Sequence, residues 1–236
     1  MRNSRSVLIV GKVLCVGLLF AFLTSRAGGQ TDSVGVWFHW AFVAYPKPES
    51  LAVYTPRIID RDTVLYSGDY FKLFVRPLTE CYAYVFWHDS KKELKILFPY
   101  TPDQFDTDWE VDKPYHIPKG DDWFQLDEIG GREELHLLVS GERLFELERL
   151  VTLFQAAGRD EKDASKLKLL NELRVVKKRF HTRRTFAERP AAIAGTVRSG
   201  DEEEPSKIPP LLDISGYAKE IQASTFYSKT LVIKHK

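Results

Sequence analysis

The pattern of apolar and polar positions divides the chain into regions of different predicted structure. From Val34 to Ser140, short apolar and aromatic runs are separated by Pro, Gly and Asp, a pattern typical of antiparallel β structure. The candidate strands are Val34–Val43, Leu51–Tyr54, Tyr70–Arg76, Cys81–Trp87, Leu94–Phe98, Tyr115–Ile117, Trp123–Leu126 and Glu134–Val139. Roughly seven or eight short strands predict a mainly β fold, an antiparallel β-sandwich of immunoglobulin-like size over residues 30–140.

The segment Cys81–His88 is apolar on both of its faces, because alternate positions of a strand belong to opposite faces. We therefore expect it to be a central strand. The polar run Asp89–Glu93 then predicts a turn that joins it to Leu94–Phe98 as a hairpin.

After Ser140 the apolar period becomes that of a helix, and residues 141–181 predict a helical hairpin. The first apolar stripe comprises Leu144, Leu147, Leu150, Val151, Phe154 and Ala157, and the second comprises Leu167, Leu170, Leu173, Val176 and Phe180. Gly158 marks the end of the first helix. We expect the two stripes to pack against each other or against the sheet.

Residues 182–210 lack apolar periodicity and contain Pro, Gly, Ser and the acidic run Asp201–Glu204, a composition that predicts a flexible linker. Residues 211–236 form the last predicted segment. Within it, Tyr227–His235 has the composition of a strand. We expect this strand to pack on the β domain again after the intervening helices.

Residues 1–29 have the parts of a secretory signal peptide. A basic start precedes the unbroken apolar run Val13–Leu23, and small residues follow it. Cleavage after Ala27 or Gly29 would leave a periplasmic or secreted protein. An uncleaved membrane anchor is the alternative, although the apolar run spans only about half of the roughly 30 Å hydrocarbon core.

Removal of this leader changes the charge balance. The whole chain has 34 basic and 33 acidic residues. The basic residues of the leader are Arg2, Arg5, Lys12 and Arg26, so the rest of the chain has 30 basic residues against 33 acidic ones. A slightly acidic protein has no overall positive electrostatic field to attract nucleic acid. Export also argues against nucleic acid as a partner.

Cys81 is the only cysteine beyond the leader, so an intrachain disulfide is excluded. His88 follows on the same strand, but on its opposite face and about 23 Å away, which excludes a Cys–His pair between them. We interpret Cys81 as a buried structural residue. His39, His116 or His136 could approach it only through folding.

Acidic residues crowd the segment between Asp103 and Asp112, where carboxylate oxygens could bind calcium. The calcium-loop motif fails, because counting from Asp106 puts Val111 at the required glycine and Ile117 at the required glutamate. We interpret the segment as a solvated acidic loop, and we predict neither a metal nor a cofactor.

Two features mark candidate surfaces for a partner. Trp109 lies in the acidic loop, outside the predicted strands, where its ring offers rigid contact area. Lys177, Lys178 and Arg179 give the second predicted helix a basic end that could bind an acidic partner or anionic lipid, with neighbouring apolar residues dipping into the membrane. A solvated basic face is the simpler interpretation.

Several segments of the β region resemble those of a bacterial family, domain of unknown function 4384. They are Leu65–Leu73 (LYSGDYFKL), Cys81–Phe86 (CYAYVF), Leu97–Pro99 (LFP), Tyr115–Pro118 (YHIP), Trp123–Leu126 (WFQL) and Gly130–Ser140 (GGREELHLLVS). The match covers residues 65–140. The resemblance implies an exported or envelope-associated protein and transfers no catalytic residue.

The leader, the resemblance and the lack of a catalytic motif predict an exported, non-enzymatic binding module of the bacterial cell envelope. Its partner would be a protein or another envelope component, and its oligomeric state is open. One alternative is an envelope hydrolase built on His39, His116 or His136 and the acidic loop. The other is a peripheral membrane-surface protein that uses the basic helix.

Overall fold

The computed structural model describes residues 35–47, 56–181, 186–191 and 213–236. The predicted leader and the candidate strand Leu51–Tyr54 lie outside these residues. The strands are β1 (Val36–Tyr45), β2 (Arg57–Ile58), β3 (Thr63–Leu65), β4 (Tyr70–Pro77), β5 (Tyr82–His88), β6 (Leu94–Phe98), β7 (Tyr115–Ile117), β8 (Phe124–Gln125), β9 (Gly131–Ser140), β10 (Phe186–Pro190), β11 (Lys219–Ala223) and β12 (Phe226–His235). The helices are α1 (Gln104–Thr107), α2 (Phe145–Ala156), α3 (Arg159–His181) and a 3₁₀-helix (Ile214–Tyr217).

The strands form two sheets, and the fold is mainly β as predicted. The first sheet has the order β10-β11-β1-β4-β7, with β2 also paired to β1 and β8 to β4. The second sheet has the order β3-β12-β9-β5-β6. β3 joins β12 in parallel, and the other pairings among the described strands are antiparallel. The predicted antiparallel sandwich is confirmed.

Alternate residues of the long strands form the core between the two sheets. Phe71 of β4 stacks on Trp87 of β5 with ring centroids 4.7 Å apart, and Phe38 of β1 meets Tyr227 of β12 edge-on at 5.5 Å. All four side chains are buried. Because a fully buried large apolar side chain contributes roughly 1.5–3 kcal/mol, these contacts hold the sheets together.

The predicted hairpin is present, and β5 is a central strand between β9 and β6. Its turn begins at Asp89, whose carboxylate accepts the backbone N–H of Glu93 at 2.8 Å. Lys92 has a positive φ of 65° within this tight reversal. The end of the hairpin therefore carries a carboxylate that the backbone holds in place.

Helices α2 and α3 form a third layer on the outer face of the second sheet. The Tyr84 hydroxyl donates to Oε1 of Glu148 at 2.7 Å and accepts the backbone N–H of Leu144 at 3.0 Å. Phe180 of α3 stacks on Phe226 of β12 with ring centroids 4.4 Å apart. The predicted helical hairpin therefore packs on the sheet as well as on itself.

The buried face of α3 differs from the predicted stripe at its start. Leu169, Leu173, Val176 and Phe180 are buried, whereas Leu167 is 65% exposed. The buried residues are three or four positions apart, which keeps them on one face of a helix with 3.6 residues per turn. Residues spaced by three throughout, as from Leu167 to Val176, turn gradually from one face to another. The prediction of Leu167 as a packing residue is wrong.

Strand β12 returns to the sheet across the helices, as predicted. It lies between β3 and β9 and pairs with β9 from Phe226, opposite Ser140, to His235, opposite Gly131. Its end also pairs with β3, where His235 lies opposite Leu65. β12 is thus an interior strand of the second sheet.

Part of the predicted linker is a strand. Phe186–Pro190 forms β10, which pairs with β11 at the edge of the first sheet, whereas residues 182–185 and 192–210 lie outside the described residues. All the residues of β10 are exposed. Main-chain pairing, ion pairs such as Glu188–Lys219 and an edge contact of Phe186 with Tyr227 hold this strand. It lacks the alternation of apolar and polar residues that would reveal it in the sequence.

Phe180→Ala removes a buried ring from α3, and we expect it to lower the free energy of unfolding by about 3–5 kcal/mol. Leu167→Ala is the matched control on the same helix, with an expected change of about 0.5 kcal/mol or less because Leu167 is exposed. Urea denaturation of both variants measures the difference. Equal losses would contradict this assignment of the buried face.

Candidate functional site

A pocket of about 110 Å³ opens between the two sheets, at the end of the sandwich that carries the β5–β6 turn. Phe71 of β4, Trp87 of β5 and Phe124 of β8 form its aromatic wall. Phe71 contacts both other rings, with centroids 4.7 Å from Trp87 and 5.1 Å from Phe124. The wall is rigid, because each ring is held by another.

Charged side chains form much of the remaining lining. Asp89, Asp127 and Glu133 contribute three carboxylates, and Lys95 contributes one ammonium. Asp89 and Glu133 are buried, and the Lys95 ammonium lies 3.2 Å from the Asp89 carboxylate. Lys91, outside the lining, hydrogen-bonds Asp127 at 2.7 Å and thereby lowers the pKa of that carboxyl. The lining itself carries more negative than positive charge.

Glu133 also begins a chain of hydrogen bonds that leaves the pocket. Its Oε1 atom lies 2.7 Å from Nδ1 of His235, and Nε2 of His235 lies 3.1 Å from Oγ of Ser67. Glu133 and His235 are buried, and Ser67 is half-buried. A carboxylate, an imidazole and a hydroxyl thus form a continuous path for a proton.

Strand register brings these three residues together. His235 ends β12, where it pairs with Gly131 of β9 on one side and with Leu65 of β3 on the other. Ser67 follows β3 closely and Glu133 lies near the start of β9. Sequence reasoning missed this set, because its members are far apart in the chain and no local motif links them.

Three histidines are the alternatives for the predicted hydrolase site, and they lie on different faces of the sandwich. His39 of β1 and His116 of β7 alternate with core residues and lie on the outer face of the first sheet. His39 lies 3.5 Å from a carboxylate oxygen of Glu220. His136 of β9 faces α3 on the outer side of the second sheet. The sandwich core separates His136 from the other two, and a hydrolase site built on any one of them stays a prediction.

Cys81 is buried, as predicted, and its thiol donates to the Trp37 carbonyl at 3.9 Å. Burial raises the pKa of the Cys81 thiol to about 12. The thiol therefore stays protonated at neutral pH, and a protonated, buried thiol is a poor nucleophile.

The carboxylates of the acidic loop are turned towards basic side chains. Asp106 pairs with Arg143 at 2.5 Å, and Asp108 pairs with Lys113 at 2.6 Å. The hydrogen bond from Lys113 lowers the pKa of Asp108. In the part of the chain that the structure describes, no three His, Cys, Asp or Glu side chains are grouped so as to hold a metal ion.

Trp109 is half-buried and anchors the acidic loop to the β domain. Its indole N–H donates to the Cys81 carbonyl at 2.7 Å. Its ring stacks on Tyr115 with centroids 4.6 Å apart. These contacts explain why the ring sits where it does, and its role in binding a partner stays a prediction.

The basic candidates on α3 differ in their surroundings. Nζ of Lys177 donates to Oγ1 of Thr230 at 2.8 Å and lies 3.0 Å from Nδ1 of His136, whereas Lys178 and Arg179 are exposed. The apolar residues predicted to dip into a membrane are buried against the sheet and α2. No helix in the described ranges is long and apolar enough to cross a membrane.

A family model matches residues 64–143, about a third of the chain. The matched family is a class of domains without an assigned function. It is described as "Domain of unknown function (DUF4384)", which confirms the resemblance seen in the sequence. The matched segment contains every residue that lines the pocket, whereas His235 lies outside it. No curated protein and no solved structure matches the chain.

His136 gives the stability of the protein a predictable dependence on pH. Burial, followed by the neighbouring Lys177 ammonium, lowers the pKa of His136 from 6.5 to about 4, while Glu134 opposes the shift and His88 adds to it. Unfolding restores the usual pKa, so the unfolded chain binds more protons than the folded chain between about pH 6.5 and pH 4. The contribution of neutral His136 is therefore complete above pH 6.5 and is lost as the pH falls through this window.

We expect this loss to be roughly 3 kcal/mol at most. Replacing the imidazole in His136→Gln removes the titrating group and keeps an oxygen that can accept a hydrogen bond from Lys177. Urea denaturation at pH 7.5 and pH 4.5 should show a smaller pH effect in His136→Gln than in the unmodified protein. An identical pH effect in both proteins would contradict the assignment to His136.

Proposed function

We propose that the chain is an exported binding module of the bacterial cell envelope, whose pocket holds a basic group of a partner protein. The observation that carries the proposal is the lining of the pocket, in which three carboxylates and one ammonium lie beside an aromatic wall. Aromatic faces attract cations, and carboxylates form strong charge-assisted hydrogen bonds with them. The chemistry of this lining therefore favours an ammonium or a guanidinium.

The burial of two of these carboxylates adds to the argument. Removing Asp89 and Glu133 from water costs free energy that a cation can offset. Asp89 has the Lys95 ammonium at 3.2 Å, and Glu133 has the His235 ring. A lysine or arginine side chain in the pocket would bring further positive charge to both. The volume of about 110 Å³ suits the end of one side chain, since pockets for drug-sized ligands are roughly 300–1,000 Å³.

The leader and the family support the location. A basic start followed by the apolar run Val13–Leu23 and small residues is the pattern of a secretory signal peptide. The resemblance to DUF4384 implies an exported or envelope-associated protein. A partner protein, or another envelope component that presents a basic group, would then meet the pocket outside the cytoplasm.

Charge reversal at the pocket tests the binding role. We expect a fluorescein-labelled oligolysine peptide to bind the full chain and an oligoglutamate peptide of equal length not to bind. Asp127→Lys places a positive charge in the lining and should weaken oligolysine binding by about threefold to tenfold in fluorescence polarisation. The matched control is Glu128→Lys, which makes the same charge change at the adjacent exposed residue outside the lining.

The two variants separate the pocket from the general charge of the protein. Equal weakening by Asp127→Lys and Glu128→Lys would mean that the peptide responds only to net charge. Failure of oligolysine to bind the unmodified chain would also contradict the proposal.

Export has its own test. Fractionation of bacteria that express the full chain should recover it outside the cytoplasm, shortened at Ala27 or Gly29. Deletion of Val13–Leu23 should retain the chain in the cytoplasm at full length apart from the deletion, because the apolar run is the part that the export machinery recognises. Recovery of the unmodified chain in the cytoplasm would contradict export.

A further inference from the structure

Three hydrogen-bonded residues have the arrangement of a nucleophile, a general base and an orienting carboxylate. They are Ser67, His235 and Glu133. Oγ of Ser67 lies 3.1 Å from Nε2 of His235, and Nδ1 of His235 lies 2.7 Å from Oε1 of Glu133. Both distances fall within the range of roughly 2.6–3.2 Å that marks an activated nucleophile and its base. Such a set is recognised by its geometry and not by its order in the sequence.

The burial of the pair behind Ser67 determines how the imidazole is used. The His235 side chain is 0% exposed and the Glu133 side chain is 4% exposed. A carboxylate can only accept a hydrogen bond, so the Nδ1 atom of His235 must carry the proton that Glu133 binds. The Nε2 atom then has a free lone pair that accepts the Ser67 hydroxyl proton. Glu133 thus fixes both the ring orientation and the tautomer.

Ser67 is half-buried, so its hydroxyl is the member of this hydrogen-bond chain that lies nearest to solvent. The Ser67 hydroxyl is also 3.3 Å from the Lys236 carbonyl, which competes with Nε2 of His235 at 3.1 Å for its single proton. The backbone N–H groups of Ser67 and Gly68 donate to the carbonyls of Lys236 and Leu126. Stabilisation of an oxyanion therefore has to come from another group.

The side chain of Lys47 lies against Gly68, the residue that follows Ser67. An added Cβ atom at Gly68 would lie 2.5 Å from Cδ of Lys47. Gly68 has a φ of 88° and no side chain, which permits this close approach. The ammonium of Lys47 is two bonds beyond its Cδ atom.

We propose that Ser67 is the nucleophile of an acyl-transfer site that hydrolyses carboxylic esters, with His235 as its general base and Glu133 as a positioning residue. Oγ of Ser67 forms a bond to the carbonyl carbon as its proton passes to Nε2 of His235. The bond to the leaving alkoxide then breaks, and the alkoxide takes that proton from His235. Water attacks the acyl-serine, gives one proton to His235, and releases the acid as Ser67 regains its proton.

This activity goes beyond the binding role and does not depend on it. The oligolysine experiment reports on the lining of the pocket, whereas the ester reaction reports on Ser67. Either result can be negative while the other is positive.

Labelling with a fluorophosphonate tests the nucleophile directly. This probe forms a covalent bond with an activated serine oxygen and releases fluoride, and we expect peptide mapping of the full chain to find the label on Ser67. Hydrolysis of p-nitrophenyl acetate should fall on the order of 100-fold or more in Ser67→Ala, because the nucleophile is lost. Ser165→Ala on α3 is the matched control and should retain both labelling and hydrolysis.

Glu133→Gln tests the positioning role by its effect on pH dependence. Labelling should be slower in Glu133→Gln than in the unmodified protein, and the pH profile of the labelling rate should differ between the two, because the variant removes the carboxylate that orients the general base. Because loss of a buried carboxylate can unfold the protein, Ser67→Cys provides a second measurement. Its new thiol should react with iodoacetamide much faster than buried Cys81 does in the unmodified protein.

Three results would overturn the proposal. They are the absence of label on Ser67 in folded protein, ester hydrolysis that is unchanged in Ser67→Ala, and a Ser67→Cys thiol that reacts no faster than Cys81. Circular dichroism of each variant confirms that the folded protein is being measured.

Discussion

The register of β12 is the constraint on which the rest of the second sheet depends. The strand pairs with β9 along its whole length and with β3 at its end. Because side chains alternate between faces, a slip of one residue would turn Ile233 towards the helices and His235 away from Glu133. It would also remove Phe226 from its stack on Phe180. Core, helical layer and the chain of hydrogen bonds to Ser67 therefore require the same pairing.

The elements in which apolar residues recur with a clear period were predictable from the sequence. β6 and β7 have the predicted bounds, and β5 and β12 are displaced by a residue at most at each end. In each case most of the apolar residues are buried, so the pattern reflects the hydrophobic burial that stabilises the strand. α3 was predicted, yet its buried face was misassigned at Leu167. Apolar residues of one helix can be joined into more than one stripe. Which stripe is buried depends on the elements against which the helix packs.

Other features have no local signal. β10 is exposed and pairs with β11 through main-chain bonds, which do not depend on side-chain identity. α1 is a single short turn between acidic residues. Ser67, Glu133 and His235 come from three strands or their ends, so their meeting is a property of sheet order. Sheet packing likewise placed His39 and His136 on opposite outer faces of the sandwich, an arrangement with no local signal in the sequence.

Glu133 is the residue at which the pocket and the hydrogen-bond chain meet. It lines the pocket, and its Oε1 atom is 2.7 Å from His235. A cation held in the pocket would lie against the same carboxylate that orients the His235 ring. The pocket and the hydrogen-bond chain therefore share one buried carboxylate, and its charge has a stronger effect the more completely water is excluded around it.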